Sequence, residues 1–247
     1  MWSGSGKKGI EMDKHPQWPT AQTEEKNLWD GVVRNEPYIF RVLEANSQKA
    51  IDARRCLPRT PETSVEVGIG PLGTGISGFL QEIPKRYAVD PLPPVPLESP
   101  MESSEELRMY LRDIRAPIRY VRGCGEEMPI RSESMDLVIC CNVLDHTSNP
   151  DAVLREIHRI LKPEGLFYFD VDAFSMLGLV KWHSWTKYAH KDEILVTTHP
   201  YRMYEADVVR RLRSSGFQFR KLSGHTMASS LIGHFRVSTF LGSKCSP

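Results

Sequence analysis

The sequence predicts an α/β chain built on a doubly wound, mostly parallel sheet. Three observations point there. From Ser64 onward, short apolar runs suited to strands alternate with segments of helical period. The first strand, Ser64–Gly68, runs directly into a glycine-rich turn in the stretch SVEVGIGPLGTG. A later run, MDLVICCN at Met135–Asn142, is apolar almost throughout, as a strand covered on both faces has to be.

The elements follow in order. Residues 1 to about 25 are polar, contain glycine, lysine and proline, show no period, and read as a loose N-terminus. A single domain over 26–247 then begins. Trp29, Val32 and Val33, then Ile39, Phe40, Leu43 and Ile51, recur at helical spacing and predict two amphipathic helices, an N-terminal cap over 26–60. Pro58 and Pro61 end it. After the first strand a short helix is expected over Gly75–Ile83, stopped by Pro84. Tyr87–Asp90 is the second strand, cut off by the proline-rich PLPPVPLESP. Ser103 with Glu106 forms a capping box before a helix whose Leu107, Tyr110, Leu111 and Ile114 share one face.

Ile118–Val121 is the third strand and Met135–Asn142 the fourth. Asn149 caps and Pro150 opens a helix with Val153, Ile157, Ile160 and Leu161 inward. Lys162–Gly165 turns that helix into the fifth strand, Leu166–Val171. Asp172–Pro200 breaks the rhythm with Trp182, His183, Trp185, Tyr188, His190 and His199, and reads as a lid-like insertion. A helix over Glu205–Ser215, ended by Gly216, and two strands, Phe217–Leu222 and Arg236–Leu241, complete seven strands. The cap helices and the insertion both flank the carboxyl ends of the strands. Their tryptophans and histidines suit a pocket for an acceptor molecule.

Composition bounds the function. The 247 residues are 40% hydrophobic and 26% charged, with a formal charge of +1. A nucleic-acid binder would carry a basic excess or stripe, and Arg210, Arg211 and Arg213 read only as one solvated helix face. No run is long enough to span a membrane, and the start MWSGSGKKGIEMDKHPQW has no apolar signal segment. The five cysteines include no C-x-x-C pair, which argues against zinc and disulfides and for a reducing, cytoplasmic compartment. Asp170 and Asp172 lack a recognisable third ligand, so no metal site is expected. Composition does not fix an oligomeric state.

Gly68, Gly70 and Gly73 spell G-x-G-x-x-G, a spacing that seats nucleoside cofactors at the end of a strand. Asp90 ends the second strand, where a carboxylate can accept both hydroxyls of a ribose. These features fit a nicotinamide dinucleotide and an oxidoreductase as well as another nucleoside. Glu66 separates the two. A carboxylate beside the turn suits a cofactor with an ammonium or sulfonium and opposes one with two phosphates.

The ordered series E-x-G-x-G at Glu66–Gly70, the acid Asp90, G-x-x-E-x-x-P at Gly123–Pro129, M-D-L-V running into N-V-L-D-H, and L-K-P-x-G at Leu161–Gly165 resembles the class I S-adenosylmethionine-dependent methyltransferases, most closely their small-molecule branch. The resemblance covers roughly Ser64 to Phe217. It implies a Rossmann-like fold with helices on both faces and transfer of a methyl group to an oxygen, nitrogen or carbon of a small acceptor, leaving S-adenosylhomocysteine. Carried over, Glu66, Gly68 and Gly70 line the methionine part of the cofactor, and Asp90 holds the ribose with Pro91 near the adenine. Cys124, Gly125 and Glu126 edge the adenine, and Cys141 and Asn142 meet the amino-acid end. Two departures stand out: Cys124 occupies a position where the family often has an acid, and the third glycine falls at Gly73 rather than at Leu72. The sulfonium methyl is already activated, so the protein has to align acceptor, methyl carbon and sulfur and exclude water. His146, then His183 and His190, are the candidate bases. A nicotinamide oxidoreductase and a non-catalytic cofactor-binding module are the rival readings.

Overall fold

The computed structural model describes residues 18–96, 104–175, 177, 178, 180, 201, 203–224, 226 and 235–245. Its centre is one sheet whose strands are β1 (Thr63–Val67), β2 (Lys85–Asp90), β3 (Ile118–Arg122), β4 (Met135–Cys141), β5 (Leu161–Phe174), β6 (Met203–Tyr204), β7 (Phe217–Ser223) and β8 (Phe235–Lys244). The order is β3-β2-β1-β4-β5-β8-β7, with the two-residue β6 beside β5. Strands β1 to β6 pair in parallel, while β8 lies antiparallel between β5 and β7. The seven expected strands form the main path, and β6 is the addition. From β1 the chain winds outward to β2 and β3, then returns to β4 on the other side. The strand order therefore reverses between β1 and β4, and beyond their carboxyl ends a crevice opens.

Alternation along the strands sorts the core into two layers. Val138 and Cys140 of β4 and Phe167 and Phe169 of β5 pack on the side of α4 (Pro150–Ile160) and α5 (Glu205–Ser214). Leu137 and Ile139 of β4 and Tyr168 of β5 face the opposite way, onto Ala50 and Ala53 of α2 (Glu36–Cys56). A third cluster joins α2 through Ile39 and Leu43 to Leu107, Leu111 and Ile114 of α3 (Glu105–Arg115). The period of two places every second residue of β5 after Tyr168, namely Asp170 and Asp172, on the α2 side.

Several local expectations are corrected. The first helix, α1 (Trp18–Val32), starts at Trp18, inside the segment read as loose. On α2 the buried stripe is Ile39, Leu43, Ala50 and Ala53, whereas Phe40 and Ile51 face solvent. The helix expected over Gly75–Ile83 is reduced to one tight turn, Ser77–Phe79. Gly73 and Gly75 both hold positive φ, and the Ile76 and Ser77 amides bond to a side chain, so no longer helix nucleates.

The cap of α3 is Ser104, whose hydroxyl accepts the Leu107 N–H, not Ser103, which lies outside the described residues. The reciprocal carboxylate of this box comes from α2: Glu36 accepts both the N–H and the hydroxyl of Ser104. The Lys162–Gly165 turn sits inside β5 as a bulge, since Met135 pairs with Leu161 and Leu137 with Leu166.

Candidate active site

A cavity of about 710 Å³ opens over the carboxyl ends of β1, β2, β4 and β5. Its floor is the glycine-rich loop. Its roof is α1 and α2, which bring Gln22, Glu25, Trp29, Tyr38, Asn46 and Lys49 to its wall. Glu66, Gly68, Gly70, Asp90, Pro91, Cys124, Gly125, Glu126, Cys141, Asn142 and His146 all line this one space. His183 and His190, with most of the 172–200 insertion, lie outside the described residues.

The carboxylate of Glu66 points under the loop. Its two oxygens accept the backbone N–H groups of Ile76 at 2.9 Å and Ser77 at 2.8 Å, and any side chain at Gly75 would collide with it. Burial pushes its pKa up to about 7, against the pull of those two amide bonds and of Lys49. In a dinucleotide enzyme these N–H groups, at the start of the helix after the first strand, would seat the pyrophosphate. Here a carboxylate already fills that position and the helix is a single turn, so the loop has no anion site to offer.

The glycines divide by task. Gly68, with φ +71, cannot take a Cβ because Val143 fills that space. At Gly73, with φ +63, a Cβ would press on Pro94 and Arg115, which ties the loop to the proline-rich segment. Gly70, with φ +74, has nothing within 4 Å of its Cβ position, so a ligand can approach bare backbone there. Asp90 fixes the neighbouring turn: one oxygen accepts the Gly70 N–H at 3.0 Å and the other the Leu92 N–H at 2.9 Å. Burial pushes Asp90 up to about 6. Two of the roughly four acceptor positions of a carboxylate stay open for hydroxyl donors.

Glu126 has a structural task the sequence did not reveal. One of its oxygens accepts the Ser148 N–H, the Ser148 hydroxyl and the Asn149 N–H, and so anchors the start of α4. Asn142 holds a left-handed φ of 54° and donates its N–H to the Asp170 carbonyl, turning the chain sharply out of β4. Burial, reinforced by Asp170, keeps the Cys141 thiol far above its ordinary range and therefore protonated.

The opposite end of the cavity is ionic. Asp170 is 1% exposed, and its Oδ2 lies 2.7 Å from Lys49 Nζ of α2. Burial pulls the Lys49 pKa down, but the Asp170 carboxylate beside it, helped by Asp172, outweighs that and the net direction is up. Asp172 also lines this end; burial, then Asp145 and Asp170, raises its pKa. His146 stands between two acids, its Nδ1 3.7 Å from Glu25 and its Nε2 3.9 Å from Asp145. Sequence reasoning missed Glu25 and Lys49. The signal for Lys49 was its place next to Ala50 on the inner stripe of α2, while nothing in the aperiodic start marked Glu25. Among the described residues, no three His, Cys, Asp or Glu side chains converge to hold a metal ion.

Fold and site together define an α/β domain whose glycine-rich loop has its Ile76 and Ser77 amides taken by Glu66 and whose cavity is lined by acids. Residues 72–169 match the family described as "Methyltransferase domain". The thiol S-methyltransferase TMT1B of Rattus norvegicus is 32% identical over 142 residues, covering 54% of this chain and 56% of that protein; its Homo sapiens counterpart is 29% identical over 144 residues. The chain thus matches about half the length of these curated relatives.

Among solved structures, a Thermotoga maritima S-adenosylmethionine-dependent methyltransferase aligns over 93% of this chain and 100% of its own at TM-score 0.54 and 19% identity. The Burkholderia thailandensis 1,6-didemethyltoxoflavin-N1-methyltransferase, solved with S-adenosylhomocysteine, aligns over 92% of this chain and 90% of its own at TM-score 0.56 and 15% identity. Residues 72–169 thus match a methyltransferase-domain family, and the chain has the fold seen in S-adenosylmethionine-dependent methyltransferases.

Proposed function

We propose that this protein transfers a methyl group from S-adenosylmethionine to a small-molecule thiol. The observation that carries the cofactor is Glu66, which accepts the Ile76 and Ser77 amides and so occupies the anion position of the loop, while Gly70 leaves open backbone for a ligand. Asp90 would hold the ribose hydroxyls on its open acceptor positions, beside Pro91. Cys124 and Gly125 would edge the adenine, and the backbone at Gly68, Cys141 and Asn142 would meet the amino-acid end. When bound, the cofactor supplies an activated methyl group, and the chain has to orient the acceptor and exclude water. The α1–α2 roof serves the second task.

A thiol acceptor rests on the TMT1B relatives. Sulfur lies outside the oxygen, nitrogen and carbon acceptors named from sequence. A small acceptor rather than a nucleic acid is supported by the formal charge of +1 and by the acids that line the cavity, which repel phosphate. Among the described residues no helix is long and apolar enough to cross a membrane. The cytoplasmic, reducing compartment belongs to the same proposal, on the strength of five cysteines with no C-x-x-C pair among them.

The test has two arms. S-adenosylhomocysteine should raise the melting temperature and NAD should not, as a ligand bound only by the native state requires. S-adenosylmethionine with 2-mercaptoethanol should then yield the methyl thioether. A shift with NAD alone would overturn the cofactor. Binding without turnover of any thiol would leave a binding module.

A further inference from the structure

Resting on the thiol methyltransferase reading, we propose that Asp172 takes the proton of an acceptor that enters as a neutral thiol, so that the site selects uncharged thiols over anionic ones. The geometry comes from β5. Asp170 and Asp172 share the α2 face of that strand and line the end of the cavity away from Asp90. Asp90 lies at the end of β2 and the two aspartates at the end of β5, so β1 and β4 lie between them. At about 4.8 Å per strand they stand on the order of 14 Å apart. A nucleoside held at Asp90 and extending over the β1–β4 crevice meets its reaction partner at the β5 end.

The charges at that end are unequal. Lys49 balances Asp170, whose buried Oδ1 receives no hydrogen bond among the described residues although the residue lines the cavity. No hydrogen bond or ion pair reaches the half-buried Asp172 among the described residues, and Val237, its partner on β8, brings no charge. Lys49 faces Asp172 from α2, Asp170 from its own strand, and Asp145 and His146 from the turn after β4. Among the described residues facing this end, the carboxylates outnumber the one cation, Lys49. A preformed thiolate would enter against these carboxylates, whereas a neutral thiol would not. His146, the base expected from sequence, has both ring nitrogens facing carboxylates and forms the wall instead.

The step balances. As the acceptor sulfur bonds to the methyl carbon, the bond from that carbon to the donor sulfur breaks and its electron pair stays on the departing thioether. The acceptor S–H then breaks towards Asp172, which becomes a neutral carboxylic acid. The proton is acidic once sulfur has gained the methyl group, so a carboxylate is base enough. The raised pKa of Asp172 adds to its basicity.

The experiment compares wild type, Asp172→Asn and Asp172→Glu, with 2-mercaptoethanol as the neutral acceptor and 3-mercaptopropionate as the anionic one. Calorimetry with S-adenosylhomocysteine comes first, and absence of binding in wild type overturns the methyltransferase reading and this inference with it. With binding intact, Asp172→Asn should lower kcat about 100-fold, keep S-adenosylhomocysteine affinity within about twofold, and lose the acid limb of the pH profile. Asp172→Glu should recover part of the rate. Wild type should prefer the neutral thiol about tenfold or more, and Asp172→Asn should narrow that preference.

A readout independent of turnover is the ultraviolet absorbance of thiolate. Wild type loaded with S-adenosylhomocysteine should bind 2-mercaptoethanol with no thiolate band at neutral pH. A thiolate band, an unchanged kcat and pH profile in Asp172→Asn, or equal use of both thiols would each overturn the role of Asp172 while leaving cofactor binding in place.

Discussion

Glu66 and Ser77 stand eleven residues apart in the chain, yet the carboxylate of the first accepts the amide N–H of the second at 2.8 Å beneath the glycine-rich loop. That bond and its twin to Ile76 tie loop stability to pH. Burial raises Glu66 from 4.5 to about 7 and Asp90 from 3.8 to about 6. An acid whose pKa is higher folded than unfolded binds more protons in the folded state between those two values, so its ionisation there costs stability.

The ligand-free protein should therefore lose stability as pH rises from about 4 to about 7, by on the order of 1–3 kcal/mol from these groups. Glu66→Gln should flatten the part of that slope belonging to Glu66 and lose about 1 kcal/mol from one amide bond. Urea unfolding across the pH series reads both. An unchanged slope in Glu66→Gln would mean that the proton is taken up elsewhere.

Gly68 and Gly70 allow a cleaner separation of folding from binding. Both hold positive φ, so an alanine at either costs about 1–2 kcal/mol in backbone strain. At Gly68 the new methyl also collides with Val143, whereas at Gly70 it meets open space on the wall of the cavity. Gly68→Ala should therefore lower the melting temperature well beyond Gly70→Ala. Gly70→Ala should keep most of its stability but lose S-adenosylhomocysteine affinity. Equal affinities in Gly70→Ala and wild type would remove Gly70 from the cofactor's path.

Most of this frame was legible in the chain, because strands and glycines answer to local rules. MDLVICC is apolar on both faces because both faces are covered, and Asn149-Pro150 caps and opens α4 as those residue types do elsewhere. What sequence could not give were relationships across the fold. The Ile76 and Ser77 amides are drawn to Glu66, so the local helix signal over Gly75–Ile83 fails. Ser104 borrows its partner from Glu36, far away in sequence, so the capping box is misplaced by one residue. Glu126 fits its motif by position, but its load is the first turn of α4. Lys49 becomes visible as a site residue only when α2 is laid against the end of β5.

Asp90 carries two loads, and its variants should separate them. One oxygen holds the Gly70 amide and the other the Leu92 amide, with open acceptor positions left for a ribose. Asp90→Ala should weaken S-adenosylhomocysteine binding by about 1–3 kcal/mol and lower stability as well, because two part-buried amides lose their acceptors. Asp90→Asn keeps one acceptor oxygen and should recover part of the stability, yet bind the ligand poorly. If calorimetry gives wild-type affinity for Asp90→Ala, Asp90 is only a loop brace and the ribose lies elsewhere.

The Lys49–Asp170 pair ties the roof of the cavity to its floor, and its energetics give the last prediction. Asp170 is 1% exposed and its charge is met by Lys49 Nζ at 2.7 Å. Removing one partner of a buried pair strands the other charge, which costs more than the pair itself contributes. Lys49 is 31% exposed, so water offsets part of that cost, and Lys49→Met should destabilise by about 1–3 kcal/mol. Adding Asp170→Asn removes the stranded carboxylate, and the double variant should be more stable than Lys49→Met alone. Urea unfolding of the two single variants and the double variant closes the cycle and gives the coupling directly. Strictly additive losses would mean that Lys49 and Asp170 act separately and that α2 is held over the cavity by its apolar stripe alone.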